Sequence, residues 1–143
     1  MSFTKQTVTS ARMGESYEIY RHSSGLTLYL YPMEGFSTAY AMLGTKYGSV
    51  DSIYQIGDGP VRRNPEGIAH YLEHKMFENE EGDAFARYAA TGASANAFTS
   101  FDRTAYLFAC GDHFKESLEI LLDFVSRPYF TKETVQKEQG IIG

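Results

Sequence analysis

The chain has 143 residues, of which 43% are hydrophobic and 22% are charged. This is the composition of an ordinary globular domain, and it excludes a disordered chain, a collagen and a coiled coil. Thirteen basic and eighteen acidic residues give a net charge of −5 without a Lys/Arg block, which argues against a nucleic-acid partner. No apolar run approaches the roughly 20 residues of a membrane-spanning helix, so we expect no membrane partner.

The N-terminus and the cysteine content indicate the compartment. Residues 1–10 are polar and lack the apolar stretch of a secretory signal. The single cysteine, Cys110, cannot form an internal disulfide and fits a reducing compartment, so we expect a cytoplasmic protein. Because Cys110 alternates with Tyr106 and Phe108 along a predicted strand, core packing is the role expected for it.

The first predicted elements of the chain are β-strands. Alternating apolar and polar residues predict two strands within residues 17–31, joined by a turn at 23–25, and a third strand over about 37–45. A later pair of strands, at 94–99 and 104–110, is predicted to form a hairpin.

Four helices are predicted from capping residues and from 3.6-residue periodicity. The first is expected to end near Phe77 and the second at Gly92, a natural left-handed stop. Each is expected to begin at a capping side chain, in chain order Asn64, Asp83, Asp112 and Thr131. In the third helix the apolar spacing predicts one buried stripe, made of Phe114, Leu118, Leu121, Leu122 and Val125.

The order of elements predicts the fold class. Strands come first, followed by two helices, a strand pair and two more helices. This order is typical of an α+β fold, with a mostly antiparallel sheet and helices packed on one of its faces.

The first predicted helix carries the candidate metal ligands and the candidate general base. At about 100° per residue, His70, Glu73 and His74 share one face of it. Two imidazoles one turn apart can bind one metal ion, and the adjacent carboxylate can act as a general base on a water bound to that ion. This is the zincin pattern in reverse order, H-x-x-E-H, and zinc suits these donors. The pattern alone is also compatible with a solvated helix face.

A third ligand must come from elsewhere, and the last predicted helix offers Glu138. It shares a stripe with Val135 and Ile142, which predicts an inward-pointing side chain. A lone inward carboxylate is costly unless it is paired. The alternative interpretation is a surface glutamate among the charged residues of the same helix.

Several segments in order resemble the inverzincin metallopeptidases, which include pitrilysin, insulin-degrading enzyme and the mitochondrial processing peptidase. The run HKMFE at 74–78 resembles the bacterial cytoplasmic branch. The resemblance implies an N-terminal segment over 1–15 and a first metallopeptidase domain of the pitrilysin type over 16–143, which we expect to be truncated at its C-terminus. The matching segments are YGSVD at 47–51, GIAHYLEH at 67–74, GASANAFTS at 92–100, RPYF at 127–130 and VQKEQGII at 135–142.

The resemblance implies a zinc-dependent endopeptidase domain that hydrolyses peptide bonds through a metal-activated water. His70 and His74 would bind the zinc, and Glu73 would be the general base. Family members carry a glutamate at the position of Glu138 that lies beside the metal, and their third ligand is a glutamate seven residues later. That ligand is therefore expected two positions beyond Gly143, and we expect this chain alone to bind zinc weakly and to lack peptidase activity.

The resemblance also implies partners. Asn96, Ala97 and Thr99 match the family's substrate-binding edge strand, to which an extended peptide adds as a further strand. Small residues here also suit a tightly packed strand, and both interpretations can hold. The expected partners are a peptide or unfolded-protein substrate, together with C-terminal domains outside this chain or a homologous partner subunit.

Two other functions remain open from the sequence. The first is a non-catalytic partner or assembly subunit of a peptidase-like complex. The second is a metal hydrolase or lyase on the same scaffold, such as S-ribosylhomocysteine lyase, in which Cys110 would have to bind the metal.

Overall fold

A computed structural model of the protein describes residues 2–80 and 82–136. The chain divides into two compact units, one up to Phe36 and one from Ser37 onward. Its strands are β1 Phe3–Ser10, β2 Glu15–His22, β3 Thr27–Leu30, β4 Ala39–Thr45, β5 Ile53–Tyr54, β6 Arg62–Arg63, β7 Glu78–Asn79, β8 Gly82–Asp83, β9 Ser94–Thr99 and β10 Thr104–Cys110. Its helices are α1 Ile68–Met76, α2 Ala84–Thr91 and α3 Phe114–Ser126, and residues 132–136 are also helical.

The first unit is a three-stranded antiparallel sheet in the order β1-β2-β3. Strand β1 pairs with β2 along its whole length, from Phe3 opposite His22 to Ser10 opposite Glu15. Residues 1–15 carry no predicted element, because their run of Thr, Lys and Gln lacks the apolar alternation that marks a half-buried strand. The domain boundary at residue 16 stays a prediction.

The second unit contains the site. Its main sheet has the order β4-β10-β9, with both pairings antiparallel. The helices cover one face of this sheet, while Tyr40, Met42 and Phe98 on the opposite face are exposed. The predicted α+β fold with helices on one face of an antiparallel sheet is confirmed. The core between sheet and helices consists of Phe77, Ala84, Tyr88, Tyr106, Phe108, Cys110, Ile120, Leu121 and Phe124.

The predicted start of α1 is wrong. The helix begins at Ile68, after Gly67 in the left-handed conformation at φ 83°, and no side chain caps it. Asn64 is engaged elsewhere, because its Nδ2 donates to the hydroxyl of Tyr47 at 3.0 Å. By contrast α2 is capped as predicted: the Asp83 carboxylate accepts from the backbone N–H of Phe85 at 2.8 Å.

The third helix departs from prediction in its cap and in its buried face. His113, at φ 53°, occupies the cap position, and the Asp112 carboxylate accepts only from the His113 backbone N–H, at 2.7 Å. Phe114 and Leu122 of the predicted stripe are exposed. Leu121 is buried as predicted, and Leu118 and Val125 are partly buried against the core. The helix is nevertheless rotated from the predicted orientation, so that its fully buried residues are Ser117, Ile120, Leu121 and Phe124. Ser117 tolerates burial because its hydroxyl donates to Thr91 Oγ1 at 3.1 Å.

No helix in the described part of the chain combines the length and the apolar character needed to cross a membrane.

Candidate metal centre

Helix α1 brings the three predicted metal-site residues together. The Nε2 atoms of His70 and His74 lie 3.0 Å apart, with the rings in an edge-to-face arrangement. One ligand atom from each of His70, Glu73 and His74 lies within 4.8 Å of the other two. The helical spacing of one turn therefore places both imidazoles on the same side, as the sequence pattern requires.

The two imidazoles fit a zinc ion. Zinc–nitrogen distances of about 2.0–2.1 Å at a tetrahedral angle place two ligating nitrogens about 3.3 Å apart. The observed 3.0 Å between His70 Nε2 and His74 Nε2 is close to that value. The two Nε2 atoms lie within hydrogen-bond distance of each other, and the same two atoms would hold the zinc ion. His70 is exposed and His74 is half-buried, so the pair is open to solvent on the His70 side.

The carboxylate of Glu73 is buried between α1 and the strands β9 and β10. Only 8% of Glu73 is exposed, and its Oε2 accepts a hydrogen bond from Thr99 Oγ1 at 2.9 Å. Within the described residues Oε1 accepts no hydrogen bond. Burial and the negative charge of Glu73 both raise the pKa of the Tyr106 phenol. A buried carboxylate with one oxygen in a hydrogen bond and the other oxygen without one is suited to proton transfer.

A buried ion pair that the sequence patterns did not predict directly follows the candidate metal-site residues. Lys75 is fully buried, and its Nζ pairs with Oε2 of Glu78, three residues further on. The i,i+3 spacing of opposite charges was the signal that could have indicated it. The pair joins the last turn of α1, at the residue after His74, to the first residue of β7.

The predicted substrate residues lie on two faces of β9. Burial alternates along the strand, so Ala97 and Thr99 face the helices while Asn96 is on the exposed face. The Asn96 side chain accepts from the backbone N–H of Ala97 at 2.8 Å. Of the strands that the structure describes, only β10 pairs with β9, so β9 is an edge strand.

The predicted role of Glu138 concerns a residue outside the described part of the chain. The helical residues before it contact α1, because the Tyr71 hydroxyl donates to the carbonyl oxygen of Val135 at 3.2 Å. The Thr131 cap is confirmed, since its hydroxyl accepts from the backbone N–H of Thr134 at 3.2 Å.

Cys110 does not join the metal group. It is 4% exposed within the core, as predicted, and burial raises the pKa of its thiol. Within the described residues, the side chains placed so that they could hold a metal ion are His70, Glu73 and His74, and no sulfur atom is among them. The structure therefore gives no support to a lyase with Cys110 as a ligand.

An H-x-x-E-H helix packed on an antiparallel sheet defines a domain of the inverted-zincin type. Residues 55–143 match the family described as insulinase, peptidase family M16, and the chain belongs to this family. The predicted family resemblance is thereby confirmed.

Two curated relatives are named as zinc proteases. The chain is 52% identical over 122 residues to "Uncharacterized zinc protease YmfH" of Bacillus subtilis strain 168, covering 85% of this chain and 28% of that protein. It is 32% identical over 97 residues to the Bacillus subtilis protein named "Putative zinc protease AlbF", covering 67% of this chain and 22% of that protein. The chain thus spans about a quarter of the length of these relatives.

Two solved structures share the fold. A protein described as an M16-like peptidase from Alicyclobacillus acidocaldarius superposes with a TM-score of 0.81 at 44% identity, over 99% of this chain and 30% of that chain. Pitrilysin superposes with a TM-score of 0.73 at 20% identity, over 96% of this chain and 15% of its own. The pitrilysin-type architecture of the domain is confirmed.

Proposed function

We propose that this chain is the first metallopeptidase domain of a longer, cytoplasmic, zinc-dependent endopeptidase. The observation that carries the proposal is the 3.0 Å approach of His70 Nε2 and His74 Nε2 beside the buried carboxylate of Glu73. Family membership supports it, since the relatives described above are named zinc proteases.

The roles of the residues follow from their environments. The imidazoles of His70 and His74 would hold the zinc through Nε2. When bound, zinc supplies a Lewis acid that polarises the peptide carbonyl and lowers the pKa of a coordinated water. Glu73 accepts the proton of the attacking water at Oε1 and returns it to the amine that leaves, so that it acts first as base and then as acid.

The third ligand is proposed to be a glutamate seven residues after Glu138, two positions beyond Gly143. Seven residues are about two helical turns, so both glutamates would face the same side of their helix. The hydrogen bond from Tyr71 to Val135 supports this placement, because it holds the start of that helix against α1. Glu138 itself would lie beside the metal without ligating it. With two of three protein ligands, this chain alone would bind zinc weakly and would lack peptidase activity.

The substrate is proposed to be an extended peptide segment, from a peptide or an unfolded protein, that pairs with the free edge of β9. Ala97 on this strand is small enough to let a second backbone approach, and Asn96 on the outer face would contact substrate with its side chain. Further domains of the same protein, or a homologous partner subunit, would complete the cleft.

A peptidase assay on the full-length protein that carries this domain tests the proposal. With fluorescently labelled casein, the zinc-loaded protein should cleave, and Glu73→Gln should lower kcat by at least about 100-fold, as loss of a general base does. Asp102→Asn changes an exposed carboxylate and is the matched control, with unchanged kcat. Turnover that survives in Glu73→Gln would contradict the proposal. Zinc-loaded protein without any turnover would favour the non-catalytic partner function instead.

A further inference from the structure

We propose that Thr99 is a positioning residue for Glu73: its hydroxyl holds one carboxylate oxygen and so directs the other toward the reacting water. This inference rests on the proposed function, in which Glu73 is the general base. It assigns the Thr99 side chain a role in catalysis, whereas the sequence resemblance placed this residue only among substrate contacts.

The hydrogen bond between the two residues joins separate elements. Thr99 Oγ1 lies on β9 and donates to Glu73 Oε2 on α1 at 2.9 Å, across 26 residues of sequence. Thr99 faces the helices and is half-buried, as expected of a residue that contacts a neighbouring element. In the described chain this is the one hydrogen bond that the carboxylate of Glu73 accepts. A glutamate has three rotatable side-chain bonds, so a donor on a second element removes most of its orientational freedom.

Thr99 is itself held in place at the end of β9. It stands opposite Thr104 in the β9–β10 register, and the Thr104 hydroxyl donates to the Tyr47 carbonyl at 2.9 Å. The next residue, Ser100, donates its N–H to the Arg103 carbonyl at 2.8 Å and accepts at its own carbonyl from Ser49 N–H at 2.9 Å. The hydroxyl of Thr99 is therefore presented from a rigid backbone, which is what preorganisation of a functional group requires.

The hydrogen bond is compatible with proton transfer in both directions. When Glu73 takes a proton at Oε1, Oε2 becomes the carbonyl oxygen of a carboxylic acid and still accepts from the Thr99 hydroxyl. The hydroxyl thus orients Glu73 as base and as acid without competing for the proton in transit. A purely structural role, in which Thr99 only compensates a buried charge, would affect stability and leave kcat unchanged.

The kinetic test compares Thr99→Val with Thr99→Ser in the zinc-loaded full-length protein. Valine keeps the branched shape and removes the hydroxyl, and serine keeps the hydroxyl. We expect Thr99→Val to lower kcat on the order of tenfold with KM changed less than about twofold, because an unheld base is misoriented. Thr99→Ser should stay within about threefold of wild type, and both variants should retain their zinc. A Thr99→Val variant with wild-type kcat would overturn the inference.

A second readout is independent of zinc and of activity. In the metal-free 143-residue chain, NMR three-bond couplings of the Glu73 methylene groups report its rotamers. We expect one dominant rotamer in the wild type and in Thr99→Ser, and averaged couplings in Thr99→Val. Averaged couplings already present in the wild type would contradict the inference.

The failures of the inference and of the proposed function are distinguishable. Turnover in Glu73→Gln defeats the proposed function whatever Thr99 does. Loss of turnover in Glu73→Gln together with full kcat in Thr99→Val defeats only the inference. If valine disturbs folding, Thr99→Ala replaces it: kcat reduced in alanine and retained in serine supports the inference, and equal kcat in both overturns it.

Discussion

Replacing the two partners of the buried ion pair at the end of α1 should lower the free energy of unfolding by unequal amounts. Lys75 is 0% exposed and the side chain of Glu78 is 24% exposed. Removing the charge of Glu78 leaves a buried ammonium group without its counter-charge, which typically costs 3–5 kcal/mol. Because Glu78 is partly solvated, we expect the lower end for Glu78→Gln, about 3 kcal/mol of unfolding free energy. In Lys75→Met the unbranched shape is kept and the carboxylate reaches water, so we expect only about 1 kcal/mol.

Urea unfolding followed by far-UV circular dichroism measures this difference, since the chain contains no tryptophan. With a slope of about 1.5 kcal/mol per molar urea, the midpoint of Glu78→Gln should fall by about 2 M and that of Lys75→Met by less than about 1 M. Asp102→Asn, which breaks an ion pair exposed at both ends, should leave the midpoint unchanged. A Lys75→Met variant as destabilised as Glu78→Gln would refute the reasoning.

Three further predictions concern the domain around the site. Asp83→Ala removes the α2 cap and should cost about 1 kcal/mol in the same urea assay; an unchanged midpoint would show that the cap bond contributes nothing. In Gly48→Ala the added Cβ would lie 2.4 Å from the Phe101 carbonyl oxygen, so we expect a loss of about 1–3 kcal/mol, whereas Gly111→Ala, with no neighbour within 4 Å, should match wild type. The raised pKa keeps Cys110 a thiol at neutral pH, so iodoacetamide should modify the native chain far more slowly than the urea-unfolded chain at pH 7.5; equal rates would contradict its burial.

Local signals in the sequence predicted their elements well. The cap at Asp83 and the left-handed stop at Gly92 bound α2 as expected, because both depend on atoms within a few residues. The hairpin of β9 and β10 and the positions of His70, Glu73 and His74 on one helix face are likewise local properties.

The features that the sequence missed depend on partners far along the chain. Asn64 does not cap α1, because the helix begins four residues later, after Gly67 in the left-handed conformation. The Asn64 side chain donates instead to Tyr47, 17 residues earlier. The burial of Lys75 is set by the packing of α1 against the rest of its unit, which no local pattern reports. Periodicity fixes the spacing of the α3 stripe and leaves a rotation of about one residue undetermined, so Ser117 replaces Leu122 at the sheet.

The same distinction applies to the candidate site. The motif predicted which residues could bind a metal, and the helix confirms that they converge. The contact of Thr99 with Glu73 joins two elements 26 residues apart, so it emerges only from the packing of β9 on α1.

The zinc content of the full-length protein tests the central claim most directly. Metal analysis after dialysis should give about one zinc per chain in the wild type and in Glu73→Gln, because Glu73 is the base and not a ligand. His70→Ala and His74→Ala should each lose the zinc, and His113→Ala, which removes an exposed histidine away from the metal group, should keep it. Full zinc occupancy in His70→Ala or His74→Ala would contradict the account.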